Sequence, residues 1–177
     1  MWRNLTNLDK STDNETSTDR PIVYMETTVV SYLTARPSRD VVIAGHQQST
    51  REWWEDRQSD FRVVASPLVL QEASRGDNQA AQSRLDILRI VELLEINDDA
   101  TTLARELIES GIIPETSLDD ALHVAIAAVN GCNYLATWNY RHLVSAGVRA
   151  RIETFCRDKG YEAVIICTPE DLLEEAT

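Results

Sequence analysis

Five short runs dense in β-branched and aromatic residues punctuate this chain: PIVYMETTVV, FRVVAS, VELLEI, CNYLATW and AVIIC. Between them lie segments that read as helices: HQQSTREWWEDRQS, where the adjacent Trp53 and Trp54 supply the apolar bulk, NQAAQSRLDILRI, and DDALHVAIAAVNG, whose apolar residues recur at helical spacing. Strands separated by helices cannot pair as hairpins. They pair in parallel through crossovers, and the sheet they form is covered by helices on both faces. The expectation is an α/β fold, a three-layer α/β/α domain with a mostly parallel central sheet. Ligands bind such sheets beyond the carboxyl ends of the strands, where the strand order reverses.

Local signals place the elements. The first strand should end near Glu26, with Thr27 and Thr28 turning into a helix. Pro67 suits the first turn of a helix that stops at Gly76. Asp98 and Asp99 open a helix that closes on Gly111, and Gly131 ends the apolar helix with Leu122, Ala125, Ile126 and Val129 on its periodic positions. Thr168-Pro169-Glu170-Asp171 is a capping signal with no catalytic implication. Residues 1–20, a polar run without sustained apolar period, read as a flexible tail, and residues 21–177 as one domain.

With 177 residues and 43% hydrophobic content, one substantial core is affordable. The first apolar run is short and is interrupted by Glu26, so it does not cross a membrane, and no signal-like segment precedes it. A cytoplasmic protein is expected. Cys132, Cys156 and Cys167 are widely spaced without a CxxC pair, which argues against a disulfide scaffold or structural zinc and for small buried side chains. A net charge of −12 repels nucleic acid at long range, so a polyanion would need a local basic patch or metal ions.

The acids at element ends carry the chemistry. Glu26 follows the first strand, Glu72 lies in the helix after the second, Asp119 and Asp120 open a helix, and Asn139 follows the fourth strand. Carboxylates gathered there raise one another's pKa, a cost that a divalent cation removes, and oxygen ligands favour Mg²⁺ or Mn²⁺ over Zn²⁺. Such a site can activate water against a phosphodiester. Plainer roles compete. Asp119 reads as an N-cap or first-turn acid, and Asp120 fits that role and the site equally. Glu26 is costly between a buried strand and a helix unless paired or metal-bound. Glu72 is equally a solvated helix residue within reach of Arg75, and Asn139 equally a turn cap. His123 suits a core or hydrogen-bonding role, and neither it nor His142 has zinc-motif spacing. Arg36, Arg39, Arg75, Arg141, Arg149 and Arg151 sit near loops or element ends, where they could grip phosphates. Trp53, Trp54 and the helix over 79–90 are candidates for a dimer face.

Four segments together, IVYMETTVVSYL, SPLVLQEASRG, LDDALHVAIAA and YLATWNYRHL, resemble the motifs of PIN-domain proteins, close to the VapC-like toxin ribonucleases of toxin–antitoxin pairs. The resemblance covers about residues 21 to 175. It implies that Glu26, Glu72, Asp120 and Asn139 are the catalytic positions, that Glu26, Glu72 and Asp120 hold Mg²⁺ or Mn²⁺, and that Thr27 or Thr137 supports them through hydroxyl hydrogen bonds. It further implies a cytoplasmic endoribonuclease acting on RNA, a homodimer, and an antitoxin protein as partner. Two departures stand out: Glu26 is longer than the usual Asp, and Asn139 removes a charge. They leave room for an alternative, a catalytically weakened PIN-like protein that binds RNA or a protein partner. A phosphatase or flap nuclease would need more acids and longer insertions.

Overall fold

The structure is a computed structural model that describes residues 20–174; the predicted tail over residues 1–20 lies outside the described residues apart from Arg20. Five strands, β1 (Ile22–Met25), β2 (Arg62–Ala65), β3 (Glu92–Leu93), β4 (Tyr134–Ala136) and β5 (Ile165–Cys167), form one sheet in the order β3-β2-β1-β4-β5, and all pairs are parallel. Each crossover contains helix: α1 (Thr27–Thr34) and α2 (Val41–Glu52) precede β2, α3 (Pro67–Ala73) and α4 (Asn78–Leu88) precede β3, and α5 (Asp98–Glu109) and α6 (Leu118–Val129) precede β4. Then α7 (Ala146–Asp158) precedes β5, and α8 (Pro169–Glu174) follows it. Helix α5 packs on α6, α1 on α2, α3 and α4, and α2 on α8, so helices flank the parallel sheet as the alternating pattern required.

The chain builds outward from β1 through β2 to β3, then crosses to the other side of β1 for β4 and β5. The order therefore reverses between β1 and β4, and their carboxyl ends open a crevice there. Val23, Tyr24 and Met25 of β1 and Leu135 and Ala136 of β4 are fully buried, as central strands covered on both faces must be. Helix α6 is buried nearly all round, with Ala121 and every residue from His123 to Ala128 inside.

Three elements differ from the expectation. VELLEI pairs only over Glu92 and Leu93, because it is an edge strand bonded to β2 alone, and both residues are exposed. The helix expected over 46–59 begins at Val41, because the Asp40 carboxylate accepts from the Val42 and Ile43 amides and starts it a turn earlier. It leaves α-helical geometry at Trp53, passing through a π turn (Trp53–Arg57) and a 3₁₀ turn (Gln58–Asp60). That turn carries Trp53 into the core at 0% exposure and packs Trp54 against it, so the pair does not present exposed aromatics to a partner. The three cysteines are buried, as expected, and burial pushes the Cys132 thiol up to about 12 and the Cys156 thiol up to about 11.

Candidate active site

Glu26 directly follows β1, and its amide extends the ladder by donating to the Ala136 carbonyl at 3.1 Å. Its side chain folds back to cap α1: Oε2 accepts from the Thr28 amide at 3.1 Å and from the hydroxyls of Thr28 (2.5 Å) and Thr137 (2.8 Å). Capping is usually done by shorter side chains. Here the extra methylene of Glu lets one carboxylate oxygen cap the helix while the other, Oε1, faces His123 Nε2 at 4.0 Å.

Glu72 comes from the last turn of α3. Its Oε2 accepts from the Thr27 hydroxyl and lies 3.0 Å from His123 Nε2. His123, three residues beyond Asp120 on α6, is buried, and its Nδ1 is 2.8 Å from the Tyr24 hydroxyl, itself 2.7 Å from Ser66 Oγ. The row Ser66–Tyr24–His123–Glu72 is saturated with either charge on the ring. Neutral imidazole accepts from Tyr24 and donates to Glu72, whereas imidazolium donates to both. Burial would lower the His123 pKa, but the hydrogen bond to Glu72 and the charges of Glu26, Glu72 and Asp120 outweigh it and hold it above the ordinary value. Burial likewise pushes Glu72 up, and the His123 hydrogen bond and charge, the Thr27 hydroxyl and the Arg75 charge bring it below the usual carboxylate range.

One donor atom from each of Glu26, Glu72 and His123 lies within 4.8 Å of the others. This group fits a divalent cation. Among the described residues every hydrogen bond to the two carboxylates lands on Oε2, so each keeps Oε1 for a further ligand. The carboxylate oxygens are the donors that suit Mg²⁺ or Mn²⁺, and His123 Nε2 joins them as a ligand only when it gives up its proton and Nδ1 donates to Tyr24 instead.

Asp120 stands in the first turn of α6, half-buried, and joins the group through Asn139, whose Nδ2 donates to its Oδ1 at 2.8 Å. Burial raises its pKa, opposed by the charge of His142, the Ser117 hydroxyl, the charge of His123 and the Asn139 amide. Asn139 Oδ1 accepts from the His142 amide at 3.2 Å and caps a π turn (Tyr140–Val144), while its own amide donates to Thr137 Oγ1 at 3.0 Å. Thr137 and Asn139 thus bind the end of β4 to Glu26 and Asp120 together. Asp119 is exposed in the same first turn, in keeping with its plainer reading.

Of the sequence-derived residues, Glu26, Asn139 and Asp120 are linked by hydrogen bonds through Thr137. Glu72 instead meets Glu26 across His123, which it hydrogen-bonds and which stands 4.0 Å from Glu26. Thr27 bonds Glu72 and Thr137 bonds Glu26. Sequence reasoning gave His123 a core or hydrogen-bonding role. It has that role and also stands among the donors. The available signal was its i, i+3 spacing from Asp120, which puts both on one helix face. Thr28, Tyr24 and Ser66 were missed because hydroxyl groups on buried elements carry no pattern. The arginines are dispersed: Arg36 reaches Gln79, Arg149 lies 3.8 Å from Asp171, and Arg151 binds the Gly111 carbonyl, while Arg39 and Arg141 are exposed.

The sequence model of the PIN domain matches residues 23–146, most of the chain and all four elements that supply the cluster. The chain belongs to the PIN-domain family. Two solved structures share its fold. One is VapC20 of Mycobacterium tuberculosis, a toxin that cleaves the sarcin–ricin loop (18% identity, TM-score 0.53, covering 68% of this chain and 92% of that one). The other is VapBC2 of Rickettsia felis, bound to a DNA fragment from its promoter (19% identity, TM-score 0.53, covering 83% and 98%). No curated protein matches the sequence. In this PIN domain β5 and α8 lie beyond the matched residues. No helix among the described residues is long and apolar enough to cross a membrane.

Proposed function

We propose that this PIN domain is a Mg²⁺- or Mn²⁺-dependent endoribonuclease that hydrolyses RNA phosphodiester bonds, the toxin of a toxin–antitoxin pair acting in the cytoplasm as a homodimer. The observation that carries the reading is the convergence of Glu26, Glu72 and His123 within 4.8 Å at the reversal of strand order, with Asp120 tied in through Asn139. The likeness in fold to VapC20 and VapBC2 supports the toxin assignment.

Glu26, Glu72 and Asp120 hold the cation in this reading, with His123 beside them. The bound cation supplies Lewis acidity and lowers the pKa of a coordinated water. The chain's own groups set the geometry. Thr28 and Thr137 fix the rotamer of Glu26, Thr27 and His123 fix Glu72, and Asn139 turns the Asp120 carboxylate. The Asn139 amide also substitutes a hydrogen bond for the like-charge contact that an acid would make with Asp120.

A second reading, binding of RNA or a protein partner without cleavage, draws on one observation: both Glu26 and Glu72 are already hydrogen-bonded by the chain itself. Cleavage of a panel of labelled structured RNAs in Mn²⁺ or Mg²⁺, against EDTA and the Asp120→Asn variant, separates the two. Metal-dependent cutting that falls at least about 100-fold in the variant is expected, the loss of about 2.7 kcal/mol of transition-state stabilisation. Equal signals from protein, variant and EDTA control would transfer the assignment to the binding reading.

A further inference from the structure

Beside the acidic cluster, four rings from three parts of the chain lie against one another. Trp138 and His46 stack with centroids 4.1 Å apart and planes 17° from parallel. Tyr140 lies 5.6 Å from His46 at 21°, and Tyr32 lies 6.0 Å from Trp138 at 30°. The inner ring is fixed: Trp138 is buried, and its indole N–H donates to Thr50 Oγ1 of α2 at 2.8 Å. The ring at the other end is not enclosed, since Tyr140 is 48% exposed. An aromatic cluster that served packing alone would bury its members, because that is where the gain from apolar burial comes from.

The stack is joined to the cluster through the backbone. The Trp138 amide donates to Thr28 Oγ1, the hydroxyl that binds Glu26, and Asn139, the partner of Asp120, lies between Trp138 and Tyr140. The segment that carries Trp138 and Tyr140 is thus the one that ties Asn139 and Thr28 into the cluster, so a strand crossing the cluster meets this segment.

We propose that Tyr140, backed by His46 and Trp138, is a stacking platform for an unpaired nucleobase flanking the scissile phosphate, so that the substrate is RNA presented as a single strand or loop. This rests on the nuclease reading above. Bases splayed out of a helix stack on aromatic side chains, whereas paired bases are already stacked within the duplex. The surroundings favour a base over a phosphate at this point. Besides burial, the carboxylates of Glu170 and Asp171 raise the Tyr140 hydroxyl pKa, against the lowering effect of Arg149, so acid charge is close by and a phosphate there would be repelled. Across the molecule, a net charge of −12 limits what phosphate contacts contribute, and stacking supplies affinity that does not depend on charge.

The test uses the full chain carrying Asp120→Asn, in Mn²⁺, with a labelled unstructured RNA of about ten nucleotides, the same RNA with abasic central positions, and its duplex. Adding Tyr140→Leu should raise the Kd for the single strand about 5- to 150-fold and change the abasic RNA by less than twofold, with Tyr140→Phe recovering most of the loss. His46→Leu should move the same probes in the same direction. In the Asp120→Asn chain with Tyr140 intact, a 2-aminopurine base at the central position should be quenched on binding, a readout that needs no change to the rings. An unchanged Kd with Tyr140→Leu, an equal loss on the abasic strand, or an absence of quenching overturns the platform, including the case in which the rings serve a protein segment instead. If the wild-type chain cuts RNA but the Asp120→Asn chain prefers the duplex, the platform falls and the nuclease stands. If the wild-type chain neither binds nor cuts any RNA, both fall.

Discussion

Asn139 decides the electrostatics at one edge of the site. Its side chain joins two otherwise separate groups, donating to Asp120 and accepting from the His142 amide. An Asp at this position would accept from His142 equally well but would set a second negative charge against Asp120, whose pKa burial already raises. Asn139→Asp is therefore expected to lower the stability of the metal-free protein by about 1–2 kcal/mol and to enlarge the stabilisation by added Mn²⁺. Urea unfolding in EDTA and in Mn²⁺ reads both, and equal stability of the two proteins in EDTA would show that Asp120 does not sense position 139. Glu26 makes a similar point. As a residue type it differs from the Asp expected of the family, but the fold-back onto Thr28 uses its length for a helix cap and leaves Oε1 toward His123. Its identity was plain in the sequence, whereas the rotamer that reconciles it with the site depends on Thr137, 111 residues away.

Helix α6 shows how an element holds the site in place. Its first turn carries Asp120, its second carries His123, and its end is closed by a full Schellman motif: Cys132 N–H bonds the Ala127 carbonyl at 2.9 Å and Gly131 N–H bonds the Ala128 carbonyl at 3.1 Å. Gly131 has φ +67°, and nothing lies within 4 Å of a Cβ placed there, so replacement meets only the backbone cost of the left-handed region. Gly131→Ala should destabilise the protein by about 1 kcal/mol without altering cleavage, as measured by urea unfolding alongside the RNA assay; a loss of 3 kcal/mol or more would mean that the helix end is coupled to the site. The Gly131 stop, the capping box of Thr168 and Asp171 and the Pro67 start were legible because each depends on residues a few positions apart. The π turns at Trp53 and Tyr140 were not, because side-chain packing against distant elements selects them over continued α-helix.

At the scale of the molecule, bound cation should act on folding as well as on chemistry. In the proposed reading the cation binds the folded chain and not the unfolded one, so Mn²⁺ at about 100 times its Kd should add about 2.7 kcal/mol, a rise in Tm of about 5–10 °C for a chain of this size. Thermal unfolding with and without EDTA measures this, and Glu72→Gln should abolish most of the increment. An equal rise in the variant would place the cation elsewhere. Much of the molecule follows from sequence, because the alternation of strand-forming and helix-forming segments is a local property that admits few arrangements: a parallel sheet, helices around it, and a cleft at the carboxyl ends. The PIN motifs and the candidate acids were legible for the same reason, each being a residue type at the end of a recognisable element. Tertiary structure alone decided that Glu26 and Glu72 meet across His123, that Asn139 faces Asp120, and that Tyr32, His46, Trp138 and Tyr140 stack. Those partners lie on different elements, and only the strand order β3-β2-β1-β4-β5, a consequence of packing the whole chain, brings them to one place.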